Sequence, residues 1–214
     1  MATSQLTLYN GALRLLGQPK LSALTDAVES RRLLDDAWDE NARDYCLEEG
    51  LWNFAMRTVE AEYDSSVDPD FGFLRAFTKP TDWIRTAAVA SDEYFINTLT
   101  DQQFNDEQGY LFADLDTLFW KYVSSDTSYG YDLSLWPQTF VRYVESYLAF
   151  QIAPRLSVSD SKIETIGKIM DRARLDAKAK DATNEGAKFP PEGSWNRSRR
   201  GWRVRDRVGR RLIG

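Results

Sequence analysis

A mainly α fold of the α+β type is what this sequence predicts: an antiparallel helical bundle with a small antiparallel β insertion and an extended C-terminal arm. Three observations carry it. Apolar residues recur at helical spacing near both ends of the chain, in residues 4–49 and 135–186. Between them, short β-prone runs are punctuated by proline, glycine and aspartate. The last twenty residues, Trp195 to Gly214, hold eight arginines, one aspartate and no lysine. The predicted organisation is therefore a first helical part at 1–57, a β-rich insertion at 58–134, a second helical part at 135–186 and a basic arm at 187–214.

In the first segment, "SQLTLYNGALRLLG" places Leu6, Tyr9, Leu13 and Leu16 on one helical face, with Gly17 as its C-cap and Pro19 barring continuation. Asp26 followed by Glu29 has the spacing of a capping box. The helix predicted from there to about residue 49 carries Ala27, Leu34, Trp38 and Tyr45 on its stripe and ends at Gly50. The middle runs are "FGFLRAFTKP", "DWIRTAAVA", "EYFINTL", "GYLFAD" and "TLFWKYVS", the last two predicted to pair as a hairpin around Asp114–Asp116. "DSSVDPDFG" and "SSDTSYGYDLS" are loops by composition. Pro137 then stands in the favoured first turn of a helix carrying Phe140, Val144, Tyr147, Leu148 and Ile152, which ends or kinks at Pro154. Ser161 and Glu164 suggest a second capping box, opening a helix with Ile163, Ile166, Met170, Ala173 and Ala177 on its stripe. Gly186 and Pro190–Pro191 stop it.

Composition restricts the chemistry. The chain has 214 residues, no histidine and one cysteine, so zinc sites of the common kinds, Ser-His-Asp triads and Cys-His pairs are ruled out. No GxxxxGK[ST] or GxGxxG loop occurs. Among 33 acidic residues a carboxylate pair at hydrolytic spacing arises by chance and signals nothing. The expectation is a protein without enzymatic activity, cofactor or metal. Cys46, beside an apolar stripe, reads as a small buried hydrophobe. The start, "MATSQLTLYNGALRLLG", lacks the pattern of a secretory signal, and no apolar run approaches the ~18 residues of a membrane span. A soluble protein is expected.

Charge is distributed unevenly. The tail's net +7, set against −6 for the whole chain, leaves −13 on residues 1–194. Three uses of the tail are open: a solvated terminus, a DNA-binding arm in which arginine meets phosphate and tryptophan stacks on bases, or an arm that orders on a protein partner. Trp195, Trp202, Val204, Val208, Leu212 and Ile213 speak against a purely solvating role. The acidic body repels a duplex, which disfavours general DNA binding. A docking arm fits best, with Trp195, Arg197, Arg199, Arg200, Trp202, Arg203, Arg205, Arg207, Arg210 and Arg211 gripping acidic protein surface. Trp52, Phe54 and Trp136 are predicted core anchors, while Tyr129 and Tyr131, beside glycine in a polar loop, are predicted to lie at a subunit or tail interface. Asp106, Glu107, Asp114 and Asp116 are candidates for an acidic surface that repels DNA.

The segment "LYNGALRLLGQPKLSALTDAVESRRLLDDAWDENARDYCLEEGLWNFAMR" resembles the N-terminal signature of head-to-tail adaptors of tailed bacteriophages, in particular the tail tubular protein A group of short-tailed phages. The matching pieces are Leu15–Gly17, Asp26–Arg31 and Trp52–Ala55. "FTKPTDWIRTAAV" and the stretch from "DEQGYLFADLD" to "RARLDAKAKDA" are similar to the family's later parts, so the resemblance runs in order over most of residues 4–186. Between 91 and 108 the family's charged-glycine turn is only partly matched, by "DEQG". The resemblance implies a structural virion protein at the portal vertex, assembled in the host cytoplasm. It implies a ring, twelve-fold in the family, that binds portal protein and neighbouring copies of itself. It further implies a downstream tail or nozzle protein as partner, no membrane, and DNA passing through the channel without sequence-specific binding. The alternative is a nucleic-acid-binding protein that uses the arginine-rich arm.

Overall fold

Ser4 starts the first helix. In the computed structural model, which describes residues 3–69, 72–156 and 158–184, its Oγ accepts the Thr7 amide at 3.3 Å and caps α1 (Gln5–Leu16). Gly17, with φ 69°, ends it. The left-handed turn lets the amides of Gly17 and Gln18 return to the carbonyls of Arg14 and Leu13.

The capping box expected at Asp26 is not made. The Asp26 carboxylate instead accepts the amides of Ser22 (2.7 Å) and Ala23 (3.2 Å), closing a turn, and α2 (Glu29–Ala37) begins after an extended Val28. The helix expected to run unbroken to residue 49 is divided: a π turn at Trp38–Ala42 separates α2 from α3 (Arg43–Glu48). A 3-10 turn at Asn53–Ala55 then leads into β1 (Met56–Glu62).

Five more strands follow: β2 (Arg75–Thr78), β3 (Trp83–Ala90), β4 (Phe104–Glu107), β5 (Tyr110–Ala113) and β6 (Thr117–Ser124). They form two antiparallel sheets, in the orders β1-β6-β3 and β2-β5-β4. The hairpin expected around Asp114–Asp116 is therefore not one. β5 and β6 belong to different sheets, and residues 114–116 carry the chain from one to the other. The true hairpin joins β4 to β5 through Gln108 (φ 41°) and Gly109 (φ 87°), consecutive positive angles that match the strands' twist.

α4 (Gln138–Ile152) follows with Pro137 as its N-cap residue, and a 3-10 turn at Ala153–Leu156 contains Pro154. α5 (Asp160–Ala182) starts one residue before Ser161, so the second expected capping box is absent too, and Glu164 pairs instead with Lys168 at 2.6 Å. The predicted stripe of α5 faces inward, with Ile166 and Ala177 buried and Ile163, Met170 and Ala173 half-buried.

This architecture corrects the expected fold class. Five helices, 43% of the structure, and two three-stranded antiparallel sheets, 20%, make an α+β mix among the described residues, not a helical bundle with a small insertion. The physical reason is that the β segment carries a core of its own. Phe77, Val89, Leu111, Ala113, Leu118, Trp120 and Tyr122 are buried together there. The helical core gathers around α4, which packs against α1, α2 and α5. Its aromatic centre is Phe140, with ring centroids 4.8 Å from Trp52, 4.9 Å from Phe54 and 4.9 Å from Trp136. The described residues up to 182 cluster as one compact unit.

Candidate assembly surfaces

Most buried polar groups are occupied in holding these elements together. Asp82, just ahead of β3, accepts hydrogen bonds from Arg57 (2.9 Å), Tyr122 (3.1 Å) and Ser124, tying β1 and β6 to the start of β3. Burial pushes its carboxyl up, but these donors outweigh burial and hold it below the usual carboxylate range. Asp181 near the end of α5 accepts the Asn53 amide at 3.0 Å, while the Asn53 side chain donates to the Asp181 carbonyl at 3.0 Å. Cys46 is fully buried, and burial pushes its thiol up, away from the reactive thiolate. Trp52 donates to its carbonyl at 3.0 Å.

The two predicted interface tyrosines are half-buried rather than exposed. The Tyr131 hydroxyl donates to Asp44, and the Arg43 guanidinium lies 3.9 Å from its ring centroid. Burial, with the Asp44 carboxylate beside it, pushes the Tyr131 hydroxyl up to about 12. Tyr129 sits under Arg57 at 5.5 Å. Both rings are thus engaged within the chain. The sequence signal, aromatic residues beside glycine in a polar loop, could not reveal a partner such as Asp44, 87 residues from Tyr131.

The acidic charge gathers on the sheets. Residues 56–124 hold thirteen acids and five bases, a net −8 out of the body's −13. The four predicted acids are brought together at the second sheet, all exposed. Asp106 pairs with Lys79 and Asp116 with Arg75 (3.1 Å), while Asp114 accepts the Leu74 amide at 2.8 Å and Glu107 accepts from the Asn105 side chain at 2.6 Å.

Two surface features went unseen in the sequence. The run "EYFINTL", expected as a strand, is mostly the tip of a hairpin beyond β3. It is closed by the Ser91 amide on the Asn97 carbonyl (3.2 Å) and the Leu99 amide on Val89 (2.8 Å). The Asp92 carboxylate accepts the amides of Tyr94 (3.1 Å), Ile96 (3.0 Å) and Asn97 (2.6 Å), so these amides are not left for a ladder. With Phe95 at φ 55°, the tip points Tyr94 and Ile96 into solvent, 75% and 78% exposed. The second feature is a depression of about 410 Å³ between α1, α4 and α5, lined by Leu15, Ile169 and Ala173 and by Arg14, Arg142 and Arg172. Glu145 forms part of its lining, 3.4 Å from Arg14, and packs over Gly11, where a β-carbon would lie 2.1 Å from it. The one signal for the tip was the "SD" turn start; for the depression there was none, because its arginines come from three separate helices.

A wider open cleft of about 720 Å³ lies between α3, β3 and α5. Glu49 there pairs with Lys178 (3.1 Å) and Arg174 (3.3 Å), and Arg85 donates to the Glu48 carbonyl at 3.0 Å, so these groups join α3 to α5 and β3. The predicted docking residues from Trp195 to Arg211 lie outside the described residues. Among the described residues no helix is long and apolar enough to cross a membrane. No family model matches the chain, and no curated protein matches it.

Proposed function

We propose that the protein is a structural component of a tailed-phage virion, a head-to-tail adaptor that assembles as a ring on the portal vertex and acts by assembly rather than by chemistry. The observation that carries this is the order of family-like motifs along residues 4–186, from "LRLLG" through "LWNFA" to the long helix "KIMDRARLDAKAKDA". Two features of the surface support it. The buried polar groups described above serve to join elements, and what the surface offers is a rigid apolar tip and an acid-rich pair of sheets. A ring that encircles DNA benefits from a body of net −13, since phosphate then does not adhere to its wall. The arginine arm, opposite in sign, suits an acidic groove on the portal or on a neighbouring copy.

The test is electron microscopy of the protein mixed with its portal protein. Rings stacked on the portal are expected with the full chain, and loss of portal binding on deletion of residues 187–214. Absence of any portal complex overturns the proposal. Tight duplex binding whose logarithm falls with salt by about 0.9 per phosphate contacted would instead favour the nucleic-acid-binding alternative.

A further inference from the structure

We infer that the exposed tip at residues 92–97 docks into the α1–α4–α5 depression of a second copy of this chain, making a head-to-tail contact between protomers. The inference deepens the adaptor proposal, because a ring requires a contact between unlike surfaces of neighbouring copies.

The tip is built for contact. Three amides held on the Asp92 carboxylate fix its backbone, so little order has to be gained on docking. Its two outward side chains, Tyr94 and Ile96, are among the most exposed large apolar residues described. Tyrosine supplies large contact area with few rotors to freeze. The acids Asp92 and Glu93 stand directly before them.

The depression is the complement. Leu15, Ile169 and Ala173 give it an apolar lining, and Ile169 is itself exposed. Its volume of about 410 Å³ falls in the range of sites that bury a small ligand, room enough for the two side chains of the tip. Its charge is the reverse of the tip's. Arg14, Arg142 and Arg172 outnumber Glu145 and Asp176 around it, in a body that is otherwise acidic. Arg172 reaches Asp176 only at 4.0 Å, and Arg142 forms no ion pair among the described residues, so a guanidinium is left to meet an incoming carboxylate. An acidic, apolar tip facing a basic, apolar depression gives both attraction and register. A second copy is the occupant that always accompanies the depression at equal concentration.

The tip and the depression lie on different elements, so each copy offers one of each and the chain of contacts continues from copy to copy. Sedimentation velocity over a concentration series of the full chain reads this directly. The wild type is expected to associate as concentration rises. The double variant Tyr94→Ser/Ile96→Ser and the double variant Arg142→Glu/Ile169→Ser should each weaken that association at least tenfold, with far-UV circular dichroism unchanged. Mixed together, the two variants should form a one-to-one dimer and nothing larger, because only one good tip and one good depression remain. Glu93→Arg should restore association with Arg142→Glu. A wild type that stays monomeric at every concentration, or a mixture that gives no dimer, overturns the inference. So does either double variant associating like the wild type. Rings that form on the portal with these variants unaltered would refute this contact and leave the adaptor proposal standing.

Discussion

Gly130 shows how little freedom a single position has here. A β-carbon placed on it would lie 2.2 Å from the Ser124 carbonyl oxygen and 3.0 Å from Leu47, and the first of these is backbone that cannot turn aside. Its own carbonyl accepts the Trp136 indole at 2.8 Å, so the loop cannot retreat without breaking that bond. Gly130→Ala is expected to cost about 1–3 kcal/mol, the usual penalty of overpacking, read as a lower urea midpoint. Two carboxylates make an opposed pair under acid. Asp82 is held low by Ser124, Arg57 and Tyr122 despite its burial, so its contribution is present above the unfolded carboxylate range and is lost as pH falls through its folded value. Glu145 is pushed up by burial, which Arg14 and Arg142 only partly offset, so its contribution is present at low pH and lost as pH rises through the folded value. Asp82→Asn should therefore flatten the acid limb of a midpoint-versus-pH curve and cost about 1–3 kcal/mol at pH 7. Glu145→Gln should raise the midpoint at pH 7 and leave it unchanged in acid. Curves of the same shape for both variants would contradict these assignments.

At the scale of elements, the hairpin tip owes its form to one side chain. Asp92 holds three amides, and a charged acceptor makes stronger hydrogen bonds than a neutral one. Asp92→Ala is expected to speed hydrogen exchange at Tyr94, Ile96 and Asn97 by roughly tenfold or more, while the global midpoint barely moves. Protection unchanged at those amides would show that the tip is held by something else. The same tip marks where the sequence ceased to be legible. Helices whose signal is local were readable: α1 by its apolar face and Gly17 at its end, α4 behind Pro137, α5 by its stripe. Capping boxes were not, because Asp26 found nearer amides at Ser22 and Ala23, a competition that spacing alone does not decide. Strand partners were not, because "GYLFADLDTLFWKYV" contains two strands adjacent in sequence that pair with quite different neighbours. The candidate surfaces fared similarly: the four acids near the second sheet were visible as a run of charge, whereas three arginines from three helices converge only once α1, α4 and α5 are packed.

Whether the helices and sheets behave as one body turns on β6. Val123 is buried in the helical core and Tyr122, its neighbour, in the core of the sheets, since alternate residues of a strand face opposite ways. The Asp82 network fastens β1, β3 and β6 together at that same level, and Arg85 of β3 reaches the carbonyl of Glu48 at the end of α3. Neither core can open without exposing one face of β6, and residues 1–182 cluster as one compact unit. Unfolding of this unit is therefore expected to be a single cooperative step. Leu111, fully buried on β5, offers the means to test it. Leu111→Ala removes packing only from the sheet core and should cost about 2–5 kcal/mol. Far-UV circular dichroism, dominated by the helices, and tryptophan fluorescence, which samples Trp120 as well as Trp52, should shift together to the same lower urea midpoint. If the fluorescence transition moved while the helical signal kept its original midpoint, the sheets would be a separately folding body and the coupling through β6 would be wrong.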